Sequence, residues 1–207
     1  MRIAGVYCFP SDPDTAADLR APLWSPRVYP NAFMLLPVAH IIDASGPTIK
    51  LAQLDGLDLR RAADGWHGIW RADGIAHQLW LPRSNPDAVT FYGTFLPSDT
   101  FYELRSHAAR RFWRSVAGRR PGPEFRVMPD LLRQWHILSL RALDARRHGA
   151  SYRTIAEALL GFSGSKEDWE VDPRKNKARR LVAHGIRMMQ GGYRLLLHYP
   201  IKADGRR

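Results

Sequence analysis

Around Pro97 the chain changes its hydrophobic period, and that change restricts its folds more than any other feature. Upstream, WHGIWRADGIAHQLWL at 66–81 alternates aromatic and aliphatic residues about the pair Asp73-Gly74. Such a pair turns a strand back on itself, because both turn positions need positive φ and glycine supplies it at low cost. Downstream, Phe101, Leu104, Ala108 and Phe112 recur at helical spacing, behind Ser98 or Asp99 as a cap. The predicted fold class is α+β: a small antiparallel β-rich N-terminal region, then a helical, helix-turn-helix-like domain. The predicted boundaries are 1–96 for the β-rich region, 97–120 for a connecting helix and the start of a linker, and 121–207 for the helical domain. The linker reading rests on GRRPGPEF at 118–125, whose Gly and Pro residues end a helix and suit a hinge.

Within the first region, Pro10, Pro13, Pro22 and Pro26 interrupt any long regular element, and Pro37 bends FMLLPVAHII at 33–42. DLRRAADG at 58–65 reads as a polar turn or a short helix. Trp66, Trp70, Trp80, Phe91 and Tyr92 are expected to cover one face of a sheet and to pack against Phe101 and Phe112.

Charge separates the two halves. Residues 1–96 carry 8 basic and 9 acidic side chains, whereas 97–207 carry 23 and 11, so the net of +11 comes from the second half. A folded surface with many Lys and Arg on one side displaces condensed counterions from a phosphate backbone, which points to nucleic acid. Acidic protein partners, RNA or an anionic membrane surface bound through the same basic face, and an ordinary hydrated surface are the competing readings.

Three helices are predicted in that basic half. The first spans about 129–147, with Leu131, Trp135, Leu138, Ala142 and Ala145 as an apolar stripe. The second follows Ser151 as N-cap and stops at Gly161, with Ile155, Ala156, Leu159 and Leu160 along one side. The third has Asp172 as N-cap and Pro173 at the first helical position, where a missing N–H is harmless. At 100° per residue its inward face is Ala178, Leu181, Val182, Gly185 and Met189. From Pro173 to Met189 it has no acidic side chain.

Two helices holding a basic third by its apolar side form a unit that can place long cationic side chains in a major groove. The leading candidate DNA contacts are Arg179, Arg180 and Arg187, with Asn176, Lys177 and His184 beside them. Arg174 and Lys175 are candidates for flanking phosphates. Tyr152 and Arg153 open the second helix, whose first-turn N–H groups suit phosphate. Between the second and third helices, Trp169 either fills the junction or, with Asp168 and Glu170, forms an acidic and aromatic handle for a protein partner. YRLLLHY at 193–199 reads as a helical extension or a short strand whose apolar residues seal the domain.

Catalytic and metal signals are weak. The eight histidines show no HExxH or Cys/His ligand spacing, and no P-loop or GxGxxG stretch occurs. Asp43, Asp55, Asp58, Asp64 and Asp73 would form a cation site only if the fold gathered them. The expectation is no enzyme activity, no cofactor and no metal. Cys8 stands alone, and no apolar run is long enough to span a bilayer. The expected location is cytoplasmic, and nucleoid-associated when bound.

LRALDARRHGASYRTIAEALLG at 140–161 and RKNKARRLVAHGIRMMQGGYRLLL at 174–197 resemble the proteobacterial family called Domain of Unknown Function twenty-two eighty-five. WSPRVYPNAFMLLP at 24–37 resembles it more loosely. The resemblance implies a helix-turn-helix variant found in activators and antiactivators of conjugative-element transfer. It implies double-stranded DNA as partner, and contact with RNA polymerase in activators or with a regulatory protein in antiactivators. The retained β-rich half favours an activator. Homo-oligomerisation is a further expectation, because two copies could set two basic helices on repeated half-sites.

Overall fold

A computed structural model describes residues 22–38, 49–82 and 91–200. The chain falls into two compact units, one ending at Phe125 and the other spanning Arg126–Pro200. Cys8, Pro10, Pro13, Asp43 and the end of FMLLPVAHII lie outside the described residues.

The first unit carries a five-stranded sheet of β1 (Phe33–Pro37), β2 (Asp58–Ala62), β3 (Gly65–Ala72), β4 (Ile75–Leu81) and β5 (Tyr92–Phe95). Their order is β2-β3-β4-β1-β5, antiparallel throughout except for the parallel pair β1 and β4. Asp73 and Gly74, at φ 50° and 75°, close the β3–β4 hairpin as their residue types require. The DLRRAADG stretch is neither turn nor helix along its length. Asp58–Ala62 pairs residue by residue with β3, and Leu59 packs against the core. Gly65 (φ 132°) completes that hairpin where a Cβ would stand 2.3 Å from the Leu81 carbonyl oxygen.

Helix α1 (Tyr102–Val116) covers one face of this sheet. Asp99 accepts from the Phe101 N–H through its side chain, which ties the chain into the first turn. Phe112 is fully buried, with its ring 4.9 Å from Phe33 and edge-on to Trp70 at 5.7 Å. Leu35, Leu79, Leu81 and Tyr92 complete the cluster. Trp80 does not join it, contrary to expectation. The register pairs Trp80 with His67 but Trp70 with His77, and alternation along a strand then sends Trp80 to the opposite face. The aspartates of the first region serve structure: Asp58 pairs with Arg60, and Asp64 pairs with His67 at 2.9 Å. The Asp55 carbonyl accepts from Trp70 Nε1.

His77 lies in this core, 5% exposed, with Nε2 3.3 Å from Ser115 Oγ. Desolvation, aided by the Arg111 charge and opposed by Asp73, lowers its pKa from 6.5 to about 4. A depressed folded-state pKa means that the neutral ring is the native form. Stability is then complete above about pH 6.5 and falls as the pH drops towards 4, because the unfolded chain takes up the proton first. The expected loss is on the order of 3 kcal/mol. Urea titrations at pH 7 and pH 4.5 should show the drop in the wild type, and His77→Gln should reduce the difference; an equal drop in both proteins would refute it.

The second unit is helical: α2 (Asp130–Arg147), α3 (Tyr152–Leu160), α4 (Lys166–Val171), α5 (Pro173–Arg187) and α6 (Arg194–Leu197). Ser151 accepts from the Thr154 N–H to start α3, and Gly161 in the left-handed region ends it. Asp172 accepts from the Arg174 N–H at 2.7 Å, with Pro173 in the first turn, so α5 begins at its expected cap. Ala142, Ile155, Ala156, Phe162, Ala178, Leu181 and Val182 form the core. Between α5 and α6 a π turn at Met188–Gly192 changes the helical phase. Met188 turns inwards beneath Gly192, and Met189 is 54% exposed instead of continuing the inner face. Residues 194–197 are a helical turn, not a strand, and Leu195 there is exposed and does not seal the core. Leu131, at the other end of the predicted α2 stripe, is 85% exposed. Among the described residues no helix is long and apolar enough to cross a membrane.

Candidate nucleic-acid interface

Helix α5 is held along one side by α2 and α3. Its buried line is Ala178, Leu181, Val182 and Gly185. Advancing 100° per residue from that line puts Asn176, Arg180, Ala183 and Arg187 on the opposite side, and all four are exposed. Arg179 and Lys177 flank this stripe, one on each side, and are exposed as well.

Ion pairing divides the candidate cations into two groups. Arg153 donates to Glu157 at 2.9 Å and to the Gly164 carbonyl at 2.8 Å. Arg174 lies 3.5 Å from Asp172, and Lys175 is paired with Glu170. These three are already engaged in tying helix starts and the α4–α5 junction together. Lys177, Arg179, Arg180 and Arg187 lie within ion-pair distance of no carboxylate among the described residues.

His184 is drawn away from the exposed stripe. Its Nε2 lies 3.0 Å from His136 Nδ1 on α2, and its ring is 5.9 Å from Trp135. Arg187 Nη2 lies 3.4 Å from His184 Nδ1, and a guanidinium can only donate, so His184 carries its own hydrogen on Nε2 and passes it to His136. Burial lowers both histidine pKa values, and for His184 the His136 ring and Arg187 add to it. The pair is a neutral latch between α2 and α5, and its second function is to steady Arg187.

The proposed acidic and aromatic handle does not form. Trp169 is 8% exposed and meets the Phe162 ring edge-on at 5.0 Å, so it fills the junction between helices. Asp168 is occupied in a capping box with Ser165, where it accepts the Ser165 N–H at 2.8 Å. Those hydrogen bonds lower its pKa. Glu170 is lowered by the hydrogen bond and charge of Lys175. The segment between the second and third predicted helices contains α4, started by this capping box.

Sequence reasoning missed Arg146. Its guanidinium lies 4.9 Å from the Tyr152 ring centre, and that of Arg179 lies 5.9 Å from the same ring. Two cations from α2 and α5 thus meet at the first residue of α3, again without a carboxylate among the described residues. Arg146 stood in the last turn of its helix, where a favourable dipole contact accounts for it without any ligand. Only the folded arrangement brings it to Tyr152.

A family model described as RovC_DNA-bd, a T6SS transcription factor DNA-binding domain, matches residues 95–198, half of the 207-residue chain. The chain belongs to this family. The RovC_DNA-bd segment therefore includes α1 as well as the whole of α2 to α6. No curated protein and no solved structure matches the chain. The family makes the chain a DNA-binding regulator, in agreement with the partner inferred from its charge.

Proposed function

We propose that the chain activates transcription by setting α5 in the major groove of duplex DNA, with the start of α3 against the neighbouring phosphates. The observation that carries this reading is the exposed Asn176, Arg180, Ala183 and Arg187 stripe, whose arginines have no carboxylate partner among the described residues, whereas Arg153, Arg174 and Lys175 have one. Arginine can bond guanine edges in pairs and asparagine can bond adenine, whereas Ala183 leaves room for close approach. Tyr152, Arg146 and Arg179 would meet the backbone, where charge fixes register without reading sequence. In this arrangement α3 and α5 act as a helix-turn-helix whose turn has been widened by α4.

The T6SS wording of the family description favours a T6SS gene set over conjugative transfer as the regulated locus. Activation through RNA polymerase and pairing of two chains on repeated half-sites belong to the same reading. Burial of Trp169 leaves only Asp168 and Glu170 of the acidic and aromatic handle at the surface, which supports the activator reading over the antiactivator one. Fluorescence anisotropy against a T6SS promoter duplex and a scrambled duplex tests the proposal. A salt-sensitive preference of at least about tenfold is expected, given the affinity gap between specific and non-specific binding. Equal affinity for both duplexes would overturn groove reading by α5.

A further inference from the structure

The first unit has its own concentration of positive charge, separate from α5. Residues 104–125 contain six arginines and a single acid, Glu124. Gly118, at φ 64°, reverses the chain after α1, and the following segment folds back on the helix. The Arg120 carbonyl accepts from Arg114 Nε at 2.6 Å, the Arg119 guanidinium lies 5.3 Å from the Trp113 ring centre, and Phe125 packs against His107. The predicted hinge is therefore a strap along α1, and it adds two arginines to those of the helix.

This arrangement brings like charges together without a counter-charge. Arg110, Arg111, Arg114, Arg119 and Arg120 form no ion pair among the described residues, and Arg111 Nε is buried without a hydrogen-bond partner there. Nearby acids are few: Glu103 stands in the first turn of α1, Asp73 acts on His77, and Glu124 is exposed on the strap. The unbalanced field is registered by His107, whose pKa is lowered by burial and then by Arg111 and Arg110. Holding guanidinium groups this close costs free energy unless an outside anion neutralises them. Trp113, 38% exposed beneath Arg119, keeps that side chain extended at the surface.

We propose that the strap and the C-terminal half of α1 form a second DNA-binding surface, taking the phosphate backbone of duplex DNA outside the α5 site. Duplex DNA is the occupant favoured here because the match to a DNA-binding domain begins at residue 95 and takes in this helix. The proposal rests on the DNA-binding reading, but it concerns different residues. A second contact on the same duplex raises affinity through effective concentration and lengthens the bound segment, with no added sequence preference.

The test uses the full chain and a triple variant, Arg110→Gln, Arg119→Gln and Arg120→Gln, whose replaced side chains are all exposed. Binding to a duplex of about 40 base pairs is measured across salt concentrations. Each lost phosphate contact should remove about 0.9 from the slope of log affinity against log salt, so the triple variant should lose two to three units and bind roughly tenfold or more weakly at moderate salt. On a scrambled duplex of the same length the loss of slope should be the same, since phosphate contacts carry no sequence preference. Circular dichroism confirms that the variant is folded. An unchanged slope on the long duplex, while Arg180→Ala still weakens binding, would overturn this surface and leave the α5 reading intact. Loss of single-stranded RNA binding with duplex binding preserved would also overturn it, by making RNA the ligand. If the wild type binds neither duplex, the DNA-binding reading itself fails.

Discussion

Arg180→Ala is expected to weaken binding to the preferred duplex by roughly ten- to a hundredfold, and to leave folding unchanged. The magnitude follows from a bidentate arginine contact, which discriminates by about 1–3 kcal/mol, with each 1.4 kcal/mol worth a factor of ten. Folding is spared because Arg180 is exposed and has no intramolecular ion pair among the described residues. Arg187 stands seven residues further along the same stripe, about 10 Å away on the helix axis. Its replacement should add to the loss. The informative comparison is with cations of equal charge that the fold has already neutralised. Lys175→Ala and Arg153→Ala each remove one formal charge, yet those side chains are tied to Glu170 and Glu157. Their effect on affinity should stay within a few fold, since those side chains are held on a carboxylate and not extended to a base or phosphate, and the unit change in net charge then acts only as a long-range attraction screened by salt. Anisotropy titrations of the three variants at one salt concentration decide the matter. Equal losses in all three would mean that bulk charge alone attracts DNA, with no directional stripe.

Gly185→Ala should destabilise the second unit by about 1–3 kcal/mol, which is large for a single methyl group. A Cβ there would stand 2.6 Å from the Ser139 carbonyl oxygen and 2.8 Å from Leu143 Cβ, both on α2. Neither neighbour can yield cheaply. One belongs to the backbone, and Ser139 is fully buried, its hydroxyl donating to the Trp135 carbonyl at 2.7 Å. Helix α5 must therefore move off α2, and the His136–His184 hydrogen bond at 3.0 Å would be stretched in the same motion. Leu181→Ala acts at the same seam by a different route. Leu181 is fully buried, and truncation should cost about 2–5 kcal/mol through lost burial and a cavity. Ala183→Ser, on the exposed side of the same helix, is the neutral control. Urea unfolding followed by tryptophan fluorescence would measure these differences. A neutral Gly185→Ala would refute the close approach of α2 and α5, and with it the stable presentation of Arg180.

The most legible features were those settled within a few residues. Asp172 with Pro173 announced the start of α5, Asp73 with Gly74 the β3–β4 turn, and Ser151 with Gly161 both ends of α3, because caps and tight turns are satisfied by their own neighbours. The exposed side of α5 followed from helical period alone as far as Arg187. Beyond it the period failed, since the π turn at Met188–Gly192 exchanged Met189 for Met188. Trp80 was misplaced because its face depends on strand register, and one position of parity reverses it. For Trp169 the sequence left two readings, junction filler or partner handle, and contact with Phe162, seven residues away across a capped turn, decides for the first.

By itself the sequence determined where charge accumulates and where α2, α3 and α5 run, because composition and local hydrogen bonding depend on nothing distant. It placed the excess of cations after Pro97 and an acid-free helix at 173–189. Only the tertiary structure decided which of those cations remain available. Neutralisation requires a carboxylate within about 4 Å: Arg153 finds Glu157 one turn along its own helix and Lys175 finds Glu170 across the α4–α5 junction, while the packing of the unit brings no carboxylate, among the described residues, to Arg180 or Arg187. Packing of α5 on α3 brought Arg179 to the Tyr152 ring beside Arg146, and the turn after α1 laid the strap bearing Arg119 and Arg120 along that helix, giving a count of positive charges its directions.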